Sequence, residues 1–204
     1  METNNLINVI IAGVGGQGNV LASQILGRLF VAQGYKVTIG ETYGVSQRGG
    51  SVMSHLRLSR NEQFSPIIPK GLGHLIVALE PMEGLRILGQ FGNPDVQVVV
   101  NTRSLLPMSV MAGETKYPDL NSILQLIKTN SKSMWTVDAT QIALEMGNSI
   151  LSNIIMLGAV AATNILPIDQ DKLFNIFDQT FPPKYLELNR KAFEQGIASL
   201  HNKN

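Results

Sequence analysis

Two glycine-rich stretches carry the residues that could do chemistry. Gly13, Gly15, Gly16, Gln17 and Gly18 lie in "GVGGQGNV", and Gln47, Arg48, Gly49 and Gly50 lie in "GVSQRGGS". The first contains G-x-G-x-x-G directly after an apolar run. That spacing suits a phosphate-bearing ligand: glycines reach positive φ, the backbone comes close, and a following helix offers free N–H groups at its positive end. Glu41, about 23 residues after Gly18, stands where an acid could hold a ribose. On this pattern the loop reads as a NAD- or FAD-type site, or as a tight turn that packs the first helix on a sheet. Three details weigh against the dinucleotide. Gly16 and the polar Gln17 stand inside the turn, the second strand runs straight into "ETYGVSQRGGS", and no paired His and Asp follow downstream.

In the second stretch, Arg48 is a planar cation suited to carboxylate or phosphate, Gln47 offers donors and an acceptor, and Gly49 and Gly50 permit close approach. The plain alternative is a solvated turn with one exposed arginine. Ser46, Ser51 and Ser54 have no base nearby in sequence. His55, His74 and His201 share no metal-ligand spacing. His55 and Arg57 fall on one side of an alternating strand and could contribute to a crevice, although a satisfied, half-buried histidine is the more ordinary reading. Glu80 and Glu83 could form an acid pair, but carboxylates at a helix N-terminus are the ordinary reading.

The positioning elements follow from hydrophobic periodicity. "LINVIIAG" is a buried strand, Asn19–Gly34 a helix and Tyr35–Glu41 a second strand, which predicts a parallel β-α-β pair. Strands are expected over Ser51–Ser59, His74–Glu80, Asp95–Asn101 and Ser133–Ala139. Helices are expected from Pro81, from Asp119 and after Asp138, where Asp138 and Gln141 suggest a capping box. The last third reads as helices: Ile150–Leu166 ended by Pro167, Asp169–Phe181, and a final stripe of Leu186, Phe193, Ile197 and Leu200. The expected fold class is α/β, a Rossmann-like layered fold with a mostly parallel sheet and a helical C-terminal third, in a single domain over 1–204. Both glycine loops then share the carboxyl edge of the sheet and frame a crevice.

Composition narrows the function classes. The 204 residues carry a net charge of +1 with no basic block, which gives no electrostatic case for nucleic acid or an anionic membrane. No cysteine is present, so the chain has no disulfide, thiolate zinc site or cysteine-ligated iron–sulfur cluster of its own. The start lacks a basic leader, the longest apolar stretch carries three asparagines, and a cytoplasmic chain is expected.

"IAGVGGQGNVLASQILG", "GETYGVSQRGGSVMSHLRLS", "FSPIIPKG" and "LIVALEPMEGLR" together resemble, in this order, the small (beta or gamma) subunit of 2-oxoacid:ferredoxin oxidoreductases. The likeness runs from about Leu6 to Leu200, and the segment Glu80–Arg86 favours the indolepyruvate-type branch. The resemblance implies oxidative decarboxylation of a 2-oxoacid to acyl-coenzyme A and CO2, with two electrons passed to ferredoxin. It implies that thiamine diphosphate, its magnesium and the iron–sulfur clusters are held mainly by a large partner subunit, and that the isolated chain is inactive. It assigns Gly13, Gly15, Gly16, Gln17 and Gly18 to one loop, and Glu41, Gln47, Arg48, Gly49 and Gly50 to the other, facing coenzyme A or the partner. No catalytic residue and no metal ligand is expected in this chain. The competing readings are a free-standing NAD- or FAD-binding dehydrogenase and a non-enzymatic nucleotide-binding module.

Overall fold

In a computed structural model, residues 6–43, 50–106, 110, 112–114 and 116–202 are described. The chain builds β1 (Leu6–Val14), α1 (Asn19–Ala32), β2 (Lys36–Tyr43), β3 (Ser51–Ser59), β4 (Leu75–Ala78), α2 (Pro81–Phe91) and β5 (Gln97–Asn101). It continues with α3 (Leu120–Thr129), β6 (Ser133–Val137), α4 (Ala139–Glu145), α5 (Ser152–Ala162), α6 (Gln170–Thr180), α7 (Pro183–Ala198) and β7 (His201–Asn202). The strands form one sheet in the order β2-β3-β1-β4-β5-β6-β7.

The sheet is covered on both faces, which is why β1 reads as an apolar run broken at Asn8. Val9 and Ile11 pack into a core with α1, α5, α6 and α7, whereas Ile10 and Ala12 pack into a second core with α2 and α3. β1, β4, β5 and β6 pair in parallel, and β3 and β7 run against their neighbours. The α/β layered class and the mostly parallel sheet are as the sequence predicts.

The first β-α-β unit differs from expectation. β1 and β2 point the same way but do not pair, because β3 lies antiparallel between them, from Leu6↔Ser59 to Val14↔Ser51 on one side and from Lys36↔Ser59 to Tyr43↔Val52 on the other. The polar residues of β3 disguise a central strand. Ser54, His55, Arg57 and Ser59 are all buried. Arg57 is accommodated by neutral acceptors: its Nε donates to Asn8 Oδ1 at 3.1 Å and its Nη1 to the Ser65 carbonyl at 3.0 Å, with Phe64 stacked 4.9 Å away.

The apolar stretch after Asn148 is also divided differently. A 3-10 turn, Ser149–Leu151, leads into α5, which stops at Ala162 and not at Pro167. Thr163 and Asn164 end it: the Thr163 hydroxyl donates to the Val160 carbonyl at 2.7 Å, and Asn164 turns to φ 56°. In α7 the buried stripe is Asn189, Ala192, Phe193 and Gly196, while Ile197 is exposed. Gly158 of α5 and Gly196 of α7 face each other's backbones, so the two helices cross in direct contact.

Candidate binding crevice at the carboxyl edge

The last paired residues of β1 and the first of β3 bring the two glycine stretches together. The Gly15 N–H donates to the Gly50 carbonyl at 2.9 Å. Asn19 Nδ2 donates to the Val52 carbonyl at 3.2 Å, tying the first turn of α1 to the same strand. Gly16 (φ 100°) and Gly18 (φ 85°) take the left-handed conformations that the turn requires. α1 has Gly18 at its N-cap, and among the described residues no side chain caps it and no acid stands in its first turn, so its positive end suits an anion. A cavity of about 500 Å³ opens here, lined by Gly15, Gly16, Gly18, Asn19, Leu21 and Val52 among others.

The first loop is braced from within. Gln17 Oε1 accepts from the Val14 N–H at 2.7 Å and its Nε2 donates to the Leu79 carbonyl at 2.9 Å. A Cβ on Gly13 would stand 2.6 Å from Gln17 Oε1, so Gly13 makes room for that brace. Asn153, buried at the start of α5, reaches the Gly18 carbonyl with Nδ2 at 3.5 Å. Asn101 Nδ2 donates to the same Leu79 carbonyl at 3.0 Å and to Thr140 Oγ1 at 2.9 Å. Sequence reasoning missed Asn19, Asn101, Thr140 and Asn153; their signal, an amide or hydroxyl just beyond a strand end or in a first helical turn, is common to many loops.

Of the predicted residues, Gly13, Gly15, Gly16, Gln17, Gly18 and Gly50 stand together at this edge. Gln47, Arg48 and Gly49 lie outside the described residues. Glu41 stands in β2 opposite Ser54, with β3 between it and β1. Neighbouring strands are about 4.8 Å apart, so the acid is two strand spacings, about 10 Å, from the strand that carries the first loop. A dinucleotide site takes its acid from the strand adjacent to the glycine loop. The inserted β3 removes that adjacency.

Glu80 and Glu83 do not form an acid pair. Glu80, buried, caps α2 by accepting from the Glu83 N–H at 2.9 Å, and it also accepts from the Tyr117 hydroxyl. Burial first, then the hydrogen bond to Glu80, pushes the Tyr117 phenol up to about 12. Glu83 turns to Arg86, at 2.7 Å, and to Ser51. His55 and Arg57 sit away from the edge, and the His55 Nδ1 accepts from the Ile68 N–H at 3.4 Å beside the Phe91 ring. Burial first, then the nearby Arg57 charge, lowers its pKa. His74 Nδ1 accepts from the Asn8 N–H at 3.0 Å. His201 has no described side chain. Among the described residues no three His, Asp or Glu side chains cluster as a metal site, and no helix is long and apolar enough to cross a membrane.

Fold and edge define an α/β chain with a glycine-lined crevice at the carboxyl ends of its strands. Residues 8–199 match the family model of pyruvate ferredoxin/flavodoxin oxidoreductase, and the chain belongs to that family. It is 34% identical over 190 residues to the indolepyruvate oxidoreductase subunit IorB of Archaeoglobus fulgidus, covering 93% of each chain. It is 30% identical over 189 residues to the pyruvate synthase subunit PorC of Methanothermobacter marburgensis, covering 92% of this chain and 93% of that one. The crystal structure of pyruvate oxidoreductase subunit PORC from Thermotoga maritima superposes with a TM-score of 0.72 at 20% identity, covering 98% of this chain and 99% of that one. Like these relatives, the chain is a small subunit of an oxidoreductase complex of the 2-oxoacid:ferredoxin class.

Proposed function

We propose that this subunit completes an indolepyruvate-type 2-oxoacid:ferredoxin oxidoreductase, and that its carboxyl-edge crevice faces the large subunit and the coenzyme A side of the shared site. The observation that carries the reading is the Gly15–Gly50 hydrogen bond, which joins the two family loops into one wall beside the uncapped start of α1. The near full-length likeness to IorB proteins, at 34% identity against 30% for the PorC relative, supports the aryl-pyruvate branch. Exposed apolar side chains near this edge fit a covered surface: Met82 begins α2, Leu105 and Leu106 follow β5, and Ile150 precedes α5.

The division of labour follows from the side chains. A chain without cysteine leaves cysteine-ligated clusters to its partner. Thiamine diphosphate with its magnesium is assigned to the partner as well, and electrons leave through the complex to ferredoxin. The residues here suit the acceptor: the glycine turn and the start of α1, which carries no side-chain cap among the described residues, fit phosphate, which is the charged part of coenzyme A. On this reading Gly13 and Gln17 support the first loop, and Glu41, Gln47, Arg48, Gly49 and Gly50 are the second loop's contribution.

The test is affinity purification of the chain from its native host. A thiamine-binding, cysteine-rich subunit is expected to co-purify, and the pair is expected to turn over an aryl pyruvate with coenzyme A. Recovery of the chain without such a subunit overturns the proposal. Binding of NAD or FAD by the isolated chain, lost on Glu41→Ala, would replace it with the dinucleotide reading.

A further inference from the structure

We infer that Ser51, Glu83 and Arg86 form a positioning clasp that sets the width of the crevice. The inference rests on the functional reading above and deepens it. The crevice wall opposite α1 is made by three consecutive residues, and each is held from a different place. Gly50 is held by the Gly15 N–H and Val52 by the Asn19 amide, both from the first loop and α1. Ser51 is held from α2: its Oγ donates to Glu83 Oε2 at 2.5 Å and contacts Arg86 Nη2. Side chains alternate along a strand, so Val52 lines the cavity while Ser51 reaches to the other face of the sheet.

The clasp is built for position more than for stability. Arg86 donates through Nε at 3.0 Å and Nη2 at 2.7 Å to the same Glu83 oxygen that accepts from the serine hydroxyl. The pair spans one helical turn, and the arginine side chain is 37% exposed. The glutamate side chain is 16% exposed and the arginine reaches water, so solvent partly screens the pair and its net contribution to stability is modest. Its geometric effect is larger. The arginine turns the carboxylate toward the serine, and the serine hydroxyl lies against both, so one helix end fixes the strand start that faces the cavity. Without the clasp, Ser51 keeps its ladder pairing but loses its tie to α2, and the Gly15–Gly50 bond loses its backing.

The experiment uses the chain assembled with its thiamine-binding partner. Ser51→Ala removes the link and leaves the Glu83–Arg86 pair intact, Glu83→Ala removes the acceptor, and Ser51→Thr keeps the hydroxyl on a residue suited to a strand. In both alanine variants, amide hydrogen exchange at Gly15 is expected to rise roughly three- to tenfold, the equilibrium factor of one lost hydrogen bond. KM for coenzyme A is expected to rise by a similar factor, with kcat and KM for the 2-oxoacid unchanged. Ser51→Thr is expected to restore both, and the double alanine variant to be no worse than either single one. Unchanged Gly15 exchange overturns the clasp, as does full additivity of the two substitutions. Gln24→Trp, which fills the same cavity from an exposed position on α1 without backbone strain, tests the underlying reading separately. If it leaves turnover and assembly unaltered, the crevice reading fails. If it impairs them while Ser51→Ala does not, the clasp fails.

Discussion

Gln17 and Asn101 share one acceptor, the Leu79 carbonyl, at 2.9 and 3.0 Å. Their side chains come from the turns after β1 and at the end of β5, and the carbonyl belongs to the end of β4. A carbonyl oxygen has two lone pairs, and both are used. Three parallel strands are thereby tied at their carboxyl ends before any ligand or partner arrives. Thr140 extends the tie to α4 through Asn101. Gln17 therefore works as a girder of the crevice, a role the glycine pattern around it does not disclose.

Gln17→Ala removes both ends of the brace and leaves the Val14 N–H and one lone pair of Leu79 without their partners. A lost brace of this kind costs about 1–3 kcal/mol, because the orphaned groups are partly buried. Gln17→Glu is expected to be at least as damaging, since a carboxylate oxygen would face the Leu79 carbonyl where an N–H now donates. Urea unfolding midpoints check both. A midpoint for Gln17→Glu equal to the parent's would show that the brace does not bear on the fold.

Gly18 is required twice over. Its φ of 85° disfavours any side chain, and a Cβ there would lie 2.1 Å from Asn153 Nδ2. Gly18→Ala is expected to destabilise by about 2 kcal/mol or more, from strain plus overpacking. Asn153→Ala in the same chain removes the collision but not the strain, so the double variant is expected to recover part of the loss. This non-additivity is read from a double-mutant cycle of unfolding free energies. Simple additivity would mean that the two residues do not meet.

The particular residues show how far the sequence could be read. β1, α1, α2 and α3 lie close to where periodicity and caps put them, because apolar spacing and capping are local signals. Asp138 accepts from the Gln141 N–H at 3.1 Å, one half of the expected capping box, while the Gln141 side chain turns to Glu145 at 2.9 Å. The position of β3 was not legible. Its Ser, His and Arg residues look like an edge or exposed strand, and only Asn8, Ser65 and Phe64, distant in sequence, make a buried guanidinium tolerable. The same holds for the site. Glycines announced the crevice, but what braces it, Gln17, Asn101, Ser51 and Glu83, depends on contacts between separate strand ends. No sequence spacing encodes those contacts.

His55 predicts a pH dependence. Burial and Arg57 lower its pKa in the folded chain, while the unfolded side chain keeps a value near 6.5. The unfolded state then binds the proton more readily, so stability rises with pH through this region. The contribution is fully present above the unfolded pKa and is lost as pH falls below it toward the folded value. Protonation also places a hydrogen on Nδ1, against the Ile68 N–H. The urea midpoint is expected to fall between pH 7.5 and 5.5 in the parent and to fall less in His55→Gln. Equal slopes in the two chains would remove His55 as the cause.

The crossing of α5 and α7 gives the most severe prediction for the fold. A Cβ on Gly158 would stand 2.0 Å from the Phe193 carbonyl oxygen, and one on Gly196 would stand 1.9 Å from that of Ile155. Both obstacles are backbone, so no rotamer change relieves them, and the helices must separate. Separation pulls Phe193 away from Phe174 and Phe177, whose rings lie 5.9 and 6.2 Å from it. Either Gly→Ala change is expected to cost more than about 3 kcal/mol, at the upper end of single substitutions. The two together are expected to cost less than the sum, because helices already separated by the first methyl accommodate the second. Thermal unfolding of the single and double variants measures this. Since α5 also carries Asn153 to the Gly18 carbonyl, separation is expected to raise amide exchange at the first turn of α1, which packs on the same face of the sheet as the substituted glycines.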